Sequence, residues 1–306
     1  MRSAIIAIFA WLAGAASAAA QTPVAIAPYK LSDEGAITID VTVNGRGPYP
    51  FIVDTGATLT IVFDNFARHA NLPRAEGVSL RVLSISGAKI FEPYELGALA
   101  AGTVLAERQI GVVLPDWDAP RKTPAGIIGL DILENFAIAL DAKKQTIAFY
   151  RGAGLPKALT ARMRKAPIRR ARYHPTGAEL FTVRGRVNRE PIDFILDLGL
   201  ATTLINYAAG DALIAGTLAV STGRTATTGS RIEDVFDDRT RASAGVLRTV
   251  SAGPKRWSRK LVWIYDAPLF DELGVQRLPY GLLGADLLIA QDLAIDFEEK
   301  KIYFGR

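Results

Sequence analysis

Apolar and polar residues alternate over Ile37–Val43, the pattern of a β-strand with one buried face. An Asn-Gly turn follows, and a second, more apolar strand then ends directly before Asp54. The same order returns later in the chain, where Leu180–Val187, a short turn and Ile192–Leu196 lead to Asp197. Short strands separated by turns rich in Gly, Pro and Asn dominate both halves, so the sequence predicts an all-β fold.

The two halves share sequence as well as pattern. Phe51–Thr58 reads Phe-Ile-Val-Asp-Thr-Gly-Ala-Thr, and Phe194–Ala201 reads Phe-Ile-Leu-Asp-Leu-Gly-Leu-Ala. A glycine-apolar-apolar-glycine segment follows each copy downstream, at Gly126–Gly129 and at Gly281–Gly284. Such a repeat indicates two copies of one structural unit, each with one aspartate in a loop after an apolar strand.

Glycine and proline residues near 152–156 interrupt the strand pattern between the two copies. We therefore predict an N-terminal lobe at residues 24–155 and a C-terminal lobe at 156–306. A chain of 306 residues is long enough for two domains of ordinary size. Helices are expected to be few and short, at 65–70, 131–135 and 286–290.

Residues 1–20 differ from the rest of the chain. Arg2 precedes an apolar run, and the small residues of Ala16–Ala20 offer cleavage sites. This order is typical of a secretory signal peptide, so we expect a periplasmic or secreted protein with no stable membrane span after cleavage. An uncleaved anchor is the alternative, because residues 4–20 supply 17 apolar or small positions, the lower limit for a spanning helix.

Composition argues against several classes of function. The net charge is +5, and basic residues cluster between Arg162 and Arg172. No aromatic residues interleave with them, so we interpret the cluster as the connection between the repeats and predict no nucleic-acid partner. The chain has no cysteine and two histidines, His69 and His174, which we expect on the surface or in turns. Neither a disulfide, a metal site nor another cofactor is predicted.

Asp54 and Asp197 are the candidate catalytic residues. Two carboxyl groups within hydrogen-bond reach cannot both ionise cheaply, so they share a proton over a wide pH range. The ionised group can take a proton from a bound water while the protonated one donates to a substrate carbonyl. Gly56 and Gly199 allow the close backbone packing that such a pair requires. The repeat therefore predicts acid and base chemistry on an amide bond.

The pattern resembles the retropepsin-like and pepsin-like aspartic peptidases, especially bacterial exported members with two retropepsin-like lobes on one chain. The resemblance covers about residues 24–306. It implies two closed barrels related by a pseudo-two-fold axis, with Asp54 and Asp197 as the catalytic pair of an aspartic endopeptidase. The substrate would be a peptide or protein, and the protein a monomer with its two lobes paired.

The same resemblance implies roles for further residues. Strands that end at Gly129 and Gly284 would support the aspartate loops, and the hydroxyl of Thr55 would brace one loop against the other. A β-hairpin flap at Leu83–Lys89, with Ser86 and Gly87 near its tip, would cover the substrate. Thr227–Arg231 is a poorer candidate for a second flap.

One position departs from the family pattern. The second motif has Leu198 where family members carry Thr or Ser, so half of the hydroxyl brace is missing. The lost bond is worth about 0.5–1.5 kcal/mol, and Asp197 itself is retained. Two alternatives to an active pair therefore stay open. The chain could be a catalytically degenerate peptide-binding protein, or its first lobe could be active only as a homodimer.

Other candidates receive simpler interpretations. Asp116–Asp118 is expected to form a solvated turn. Asp131 and Asp286, which also repeat, are interpreted as negative charge at the beginning of short helices. Trp257 and Trp263 are expected in the core or in the wall of a groove.

Overall fold

The computed structural model describes residues 22–75, 79–118, 122–152, 154–209, 231–233, 236 and 239–306. The predicted signal peptide lies outside the described residues, as do residues 227–230 of the second flap candidate. Among the helices described, none is long and apolar enough to cross a membrane.

The described strands are β1 (Ala25–Leu31), β2 (Ile37–Val43), β3 (Arg46–Val53), β4 (Ile61–Phe63), β5 (Leu80–Ser84), β6 (Gly87–Phe91), β7 (Pro93–Ala101), β8 (Thr103–Leu114), β9 (Gly126–Ile128), β10 (Ala137–Asp141), β11 (Thr146–Tyr150), β12 (Arg164–Arg172), β13 (Glu179–Val187), β14 (Glu190–Leu196), β15 (Leu204–Ile205), β16 (Arg231–Glu233), β17 (Arg239–Arg241), β18 (Ser243–Ala252), β19 (Lys255–Ile264), β20 (Tyr280–Leu283), β21 (Leu293–Asp296) and β22 (Lys301–Phe304). The described helices are α1 (Asp64–His69), α2 (Leu130–Leu133), α3 (Lys157–Thr160), α4 (Pro268–Glu272) and α5 (Ala285–Leu288).

Strand pairing repeats between the two halves. In the first, β2 and β3 form a hairpin, β3 lies parallel to β9, and β9 lies antiparallel to β4. In the second, β13 and β14 form the hairpin, β14 lies parallel to β20, and β20 lies antiparallel to β15. The predicted all-β, two-lobed fold is therefore confirmed, while the boundary at residue 155 stays a prediction.

A sheet joins the two lobes. Its strands run in the order β1, β11, β10, β21, β22 and β12, and all neighbours are antiparallel. At its centre Ala139 of the first lobe pairs with Ala294 of the second. The run of basic residues lies at its edge, because Arg164–Arg172 is strand β12. This sheet fixes one lobe against the other and so sets the distance between the aspartate loops.

Hydrophobic pattern explains the strands that carry the aspartates. Ile37, Ile39 and Val41 of β2 are buried, as their alternation predicts. The apolar run Phe51–Val53 is buried throughout, because its strand lies between β2 and β9 and has protein on both faces.

Several sequence expectations need correction. Residues 65–70, 131–135 and 286–290 do contain helices, each shifted by a residue or more, but α3 and α4 were not predicted. The solvated turn predicted at Asp116–Asp118 is wrong for its central residue. Trp117 is buried and packs edge-on against Phe63, because burial of a large apolar ring outweighs the polar character of its neighbours.

Candidate active site

Asp54 and Asp197 meet at the interface of the lobes, where β3 and β14 end. Their carboxyl groups are hydrogen-bonded to each other. Each group is also held by its own loop: Gly56 N–H donates to Asp54 Oδ1 at 2.7 Å, and Leu200 N–H donates to Asp197 Oδ1 at 2.8 Å. The structure therefore brings together the two carboxyl groups that the repeat singled out.

Each motif glycine packs against the carboxyl group of the opposite loop. A methyl group added at Gly56 would lie 2.6 Å from the carboxyl carbon of Asp197. One added at Gly199 would overlap the carboxyl group of Asp54 in the same way. The glycines are thus required by the close approach of the two loops.

Thr55 braces one aspartate loop against the other. Its hydroxyl donates to the carbonyl oxygen of Leu196 at 2.9 Å and accepts the N–H of Leu198 at 3.1 Å. Thr55 is fully buried, and so is Leu198, which occupies the equivalent place in the second loop and has no hydroxyl to return the contact. The loops are therefore joined by half of a symmetric brace.

A cleft of about 800 Å³ opens above the carboxyl pair. Its first-lobe wall includes Ile52, Ile61 and Trp117, and its second-lobe wall includes Ile195, Leu269 and Leu282. The β5–β6 hairpin covers it, as a flap would. Ser84 and Ile85 line the cleft, whereas the predicted Ser86 and Gly87 are not among its lining residues, because they lie at the turn and the first position of β6.

Residues 39–132 match a family model described as aspartyl protease. The chain has the aspartic protease fold, and its first lobe matches the aspartyl protease family. No curated protein matches the chain.

Among solved structures, the fold is similar to that of basic 7S globulin from soybean. The TM-score is 0.53 at 15% sequence identity, over 92% of this chain and 94% of that one. At such low identity the likeness concerns the aspartic protease fold alone.

A threonine-aspartate pair supports the first of the two loops in this aspartic protease fold. Asp131 accepts from the backbone N–H of Thr60 at 2.8 Å and from its hydroxyl at 2.7 Å. The same hydroxyl accepts the N–H of Gly129 at 3.2 Å, which ties in the supporting strand β9.

The second loop has the same support. Asp286 accepts from the N–H and the hydroxyl of Thr203 at 2.9 and 2.8 Å, and Gly284 N–H donates to that hydroxyl at 3.0 Å. Asp131 and Asp286 lie in the first turns of α2 and α5, as expected. Their hydrogen bonds to Thr60 and Thr203 were not predicted, because the sequence interpretation treated them only as negative charge at the beginning of a helix. A signal was available, since Thr60 and Thr203 each lie six positions after the motif aspartate.

Burial dominates the electrostatics of the pair. It raises the pKa of Asp54, against the opposing effect of hydrogen bonds from Gly56 and its neighbours. Burial raises the pKa of Asp197 well above its usual value, and the charge of Asp54 adds to the shift. Both pKa values are thus raised, so the pair retains a proton to higher pH than a solvated aspartate would.

The histidine and tryptophan candidates lie on the surface, in the core or in the wall of the cleft. His69 is exposed at the last position of α1, and His174 is exposed in the turn after β12. Trp257 is buried against Phe304, and Trp263 lines the cleft, so the expectation of core and groove-wall positions is confirmed. Within the described ranges, no group of three or more His, Cys, Asp and Glu side chains could hold a metal ion.

Proposed function

We propose that the protein is an aspartic endopeptidase in which Asp54 and Asp197 activate a water against a peptide bond. One observation carries this proposal: two partly buried carboxyl groups from repeated loops are hydrogen-bonded to each other and line a cleft between the lobes. Two carboxyl groups that share one proton can divide the roles of acid and base between them.

The raised pKa values leave one proton on the pair, and we place it on Asp197 before the water attacks. Ionised Asp54 accepts a proton from the water, whose oxygen attacks the carbonyl carbon of the peptide bond. Asp197 donates its proton to the carbonyl oxygen, which gives a neutral tetrahedral intermediate. Asp54 then passes its proton to the departing nitrogen, and Asp197 recovers one from a hydroxyl as the carbonyl re-forms. The products are a carboxyl terminus and an amine, and both aspartates return to their first state.

Shape and surroundings support a peptide as the substrate. The cleft runs between the lobes, and apolar residues line it on both sides of the carboxyl pair. We further propose, on the pattern of residues 1–20, that the protein acts in the periplasm or outside the cell. Sequencing the N-terminus of the exported protein tests this: a start near Gln21 supports it, and retention of Met1 in the cytoplasm contradicts it.

The structure bears differently on the two alternatives, a first-lobe homodimer and a non-catalytic peptide-binding protein. Asp54 has its carboxyl partner in the same chain, which supports the paired-lobe monomer over a first-lobe homodimer. The non-catalytic binding protein keeps one specific argument, the buried Leu198 in place of a bracing hydroxyl.

Peptide cleavage tests the proposal directly. The protein, Asp54→Asn and Asp197→Asn are incubated with a mixture of peptides, and fragments are identified by mass spectrometry between acidic and neutral pH. We expect cleavage by the parent and none by either variant, because the pair acts as a unit. Asp40→Asn, which changes an exposed carboxyl group on β2, is the matched control. A parent without cleavage at any pH, but with peptide binding, would favour the binding protein.

A further inference from the structure

The flap is fastened to the opposite lobe. On the first-lobe hairpin, Arg81 of β5 places Nη2 2.7 and 2.8 Å from the two carboxylate oxygens of Glu272, which ends α4 of the second lobe. Both side chains are partly exposed, at 48% and 28%. The ion pair therefore spans the cleft at its solvent edge.

Two apolar contacts accompany the ion pair. A methyl group placed on Gly87 would lie 3.8 Å from Cβ of Pro268, at the beginning of α4. Phe91 lies against Phe236 of the second lobe with ring centroids 5.7 Å apart, and Lys89 places Nζ 4.6 Å from the centre of the same ring. Ile85 at the flap turn is buried. Both strands of the hairpin thus contact the second lobe.

Backbone pairing between strands does not hold the β5–β6 hairpin against the second lobe. In the described residues β5 and β6 pair with each other as a separate two-stranded sheet, whereas the strands around them belong to the large sheet of the lobes. The position of the hairpin therefore depends on side-chain contacts, with the second lobe as described above and with the first lobe through Val82, which is buried in the same core cluster as Phe63.

We propose that Arg81 and Glu272 form a latch that holds the flap closed over the cleft, and that they are positioning residues for the proposed peptidase reaction. Any effect on catalysis rests on the proposed function, whereas the position of the flap does not. An exposed ion pair is a weak interaction. It is still large enough to change the balance between two flap positions whose free energies differ little.

Flap position is measured without reference to activity. The chain has no cysteine, so Ala88→Cys on the flap and Leu278→Cys on the second lobe accept spin labels at defined sites. Electron-electron distances are then compared for this labelled protein, for the same protein with Glu272→Gln, and for the charge exchange Arg81→Glu with Glu272→Arg. We expect one short distance in the labelled parent, an added longer distance in Glu272→Gln, and recovery of the short distance in the exchange.

A matched control separates the latch from a general loss of charge. Glu92→Gln removes the ion pair of Glu92 with Arg74, which is 2.8 Å long and lies within the first lobe. It is expected to leave the distances unchanged. High salt should open the flap of the labelled parent and have no further effect on Glu272→Gln. Unchanged distances in Glu272→Gln, or an equal change in Glu92→Gln, would overturn the latch.

Cleavage kinetics give the second readout. For a peptide that the parent cleaves, Glu272→Gln should lower kcat/KM by up to about fivefold, the upper end for one exposed ion pair, and the charge exchange should restore it. A parent that cleaves no peptide refutes the proposed function and leaves the distance measurement as the test of the latch. Cleavage with unchanged distances refutes the latch alone.

Discussion

Replacing Thr55 by valine removes a hydroxyl that joins the two aspartate loops while keeping the shape of the side chain. The change leaves the carbonyl oxygen of Leu196 and the N–H of Leu198 without the partner that Thr55 provides. Each buried group deprived of its hydrogen bond costs about 1–3 kcal/mol, so the variant should lose about 2–6 kcal/mol if neither loop relaxes. Relaxation would reduce that loss by separating the carboxyl groups, and would then lower the cleavage rate instead.

Unfolding and cleavage are therefore measured together. Thr55→Val and Thr55→Ser are compared with the parent by urea unfolding and by cleavage of the same peptide. Serine keeps the hydroxyl, so it should retain most of the stability and rate that valine loses. A valine variant that matches the parent in both measurements would refute the brace as described.

Three further predictions follow from the same site. Leu198→Thr should raise stability and turnover together if its hydroxyl reaches the opposite loop. A drop in stability of about 1–3 kcal/mol would instead show a hydroxyl left unpaired among apolar neighbours. Thr203→Val should cost about 1–3 kcal/mol by removing the hydroxyl between Asp286 and Gly284, with Thr202→Val as the neighbouring control. Asp197→Asn should stabilise the protein at neutral pH although it stops cleavage. A carboxyl group with a raised pKa in the folded state contributes stability below its unfolded pKa, and this contribution is lost as the pH rises through the folded value. Melting temperatures of parent and variant should therefore diverge from acid to neutral pH, and parallel curves would contradict the raised pKa.

Much of the fold follows from local pattern. Ile37–Val43 alternates because one face of its strand is buried, and Phe51–Val53 is apolar throughout because neighbouring strands cover both faces. The two motifs repeat with their flanking strands, so the meeting of Asp54 and Asp197 could be predicted before their distance was known.

Long-range side-chain contacts could not be predicted in this way. The hydroxyl of Thr60 reaches a carboxylate 71 positions away, and Arg81 reaches one 191 positions away. Nothing local to Arg81 indicates its partner. For Thr60 the available signal is its position six residues after Asp54, a spacing that the second motif repeats. The helix at Pro268–Glu272 was missed for a related reason, because a single turn between two loops leaves too few residues for a hydrophobic period.

The second flap candidate stays a prediction. Of Thr227–Arg231 the structure describes only Arg231, which begins β16, and β16 (Arg231–Glu233) pairs with β17 (Arg239–Arg241). The residues on both sides of Arg231 are mostly polar and do not alternate with apolar ones, so the sequence does not indicate where a strand begins or how two strands would pair. Phe236, between the two strands, contacts the first flap, a contact that composition does not reveal.

The central claim is that Asp54 and Asp197 share a proton, and carbon-13 NMR of aspartate-labelled protein tests it most directly. Carboxyl resonances are followed from acidic to neutral pH and assigned with Asp54→Asn and Asp197→Asn. We predict that Asp197 titrates well above the usual aspartate value of 3.8 in the parent. In Asp54→Asn it should titrate at lower pH than in the parent, because the neighbouring charge is gone. Two aspartates that titrate independently near 3.8 would contradict the shared proton and the mechanism built on it.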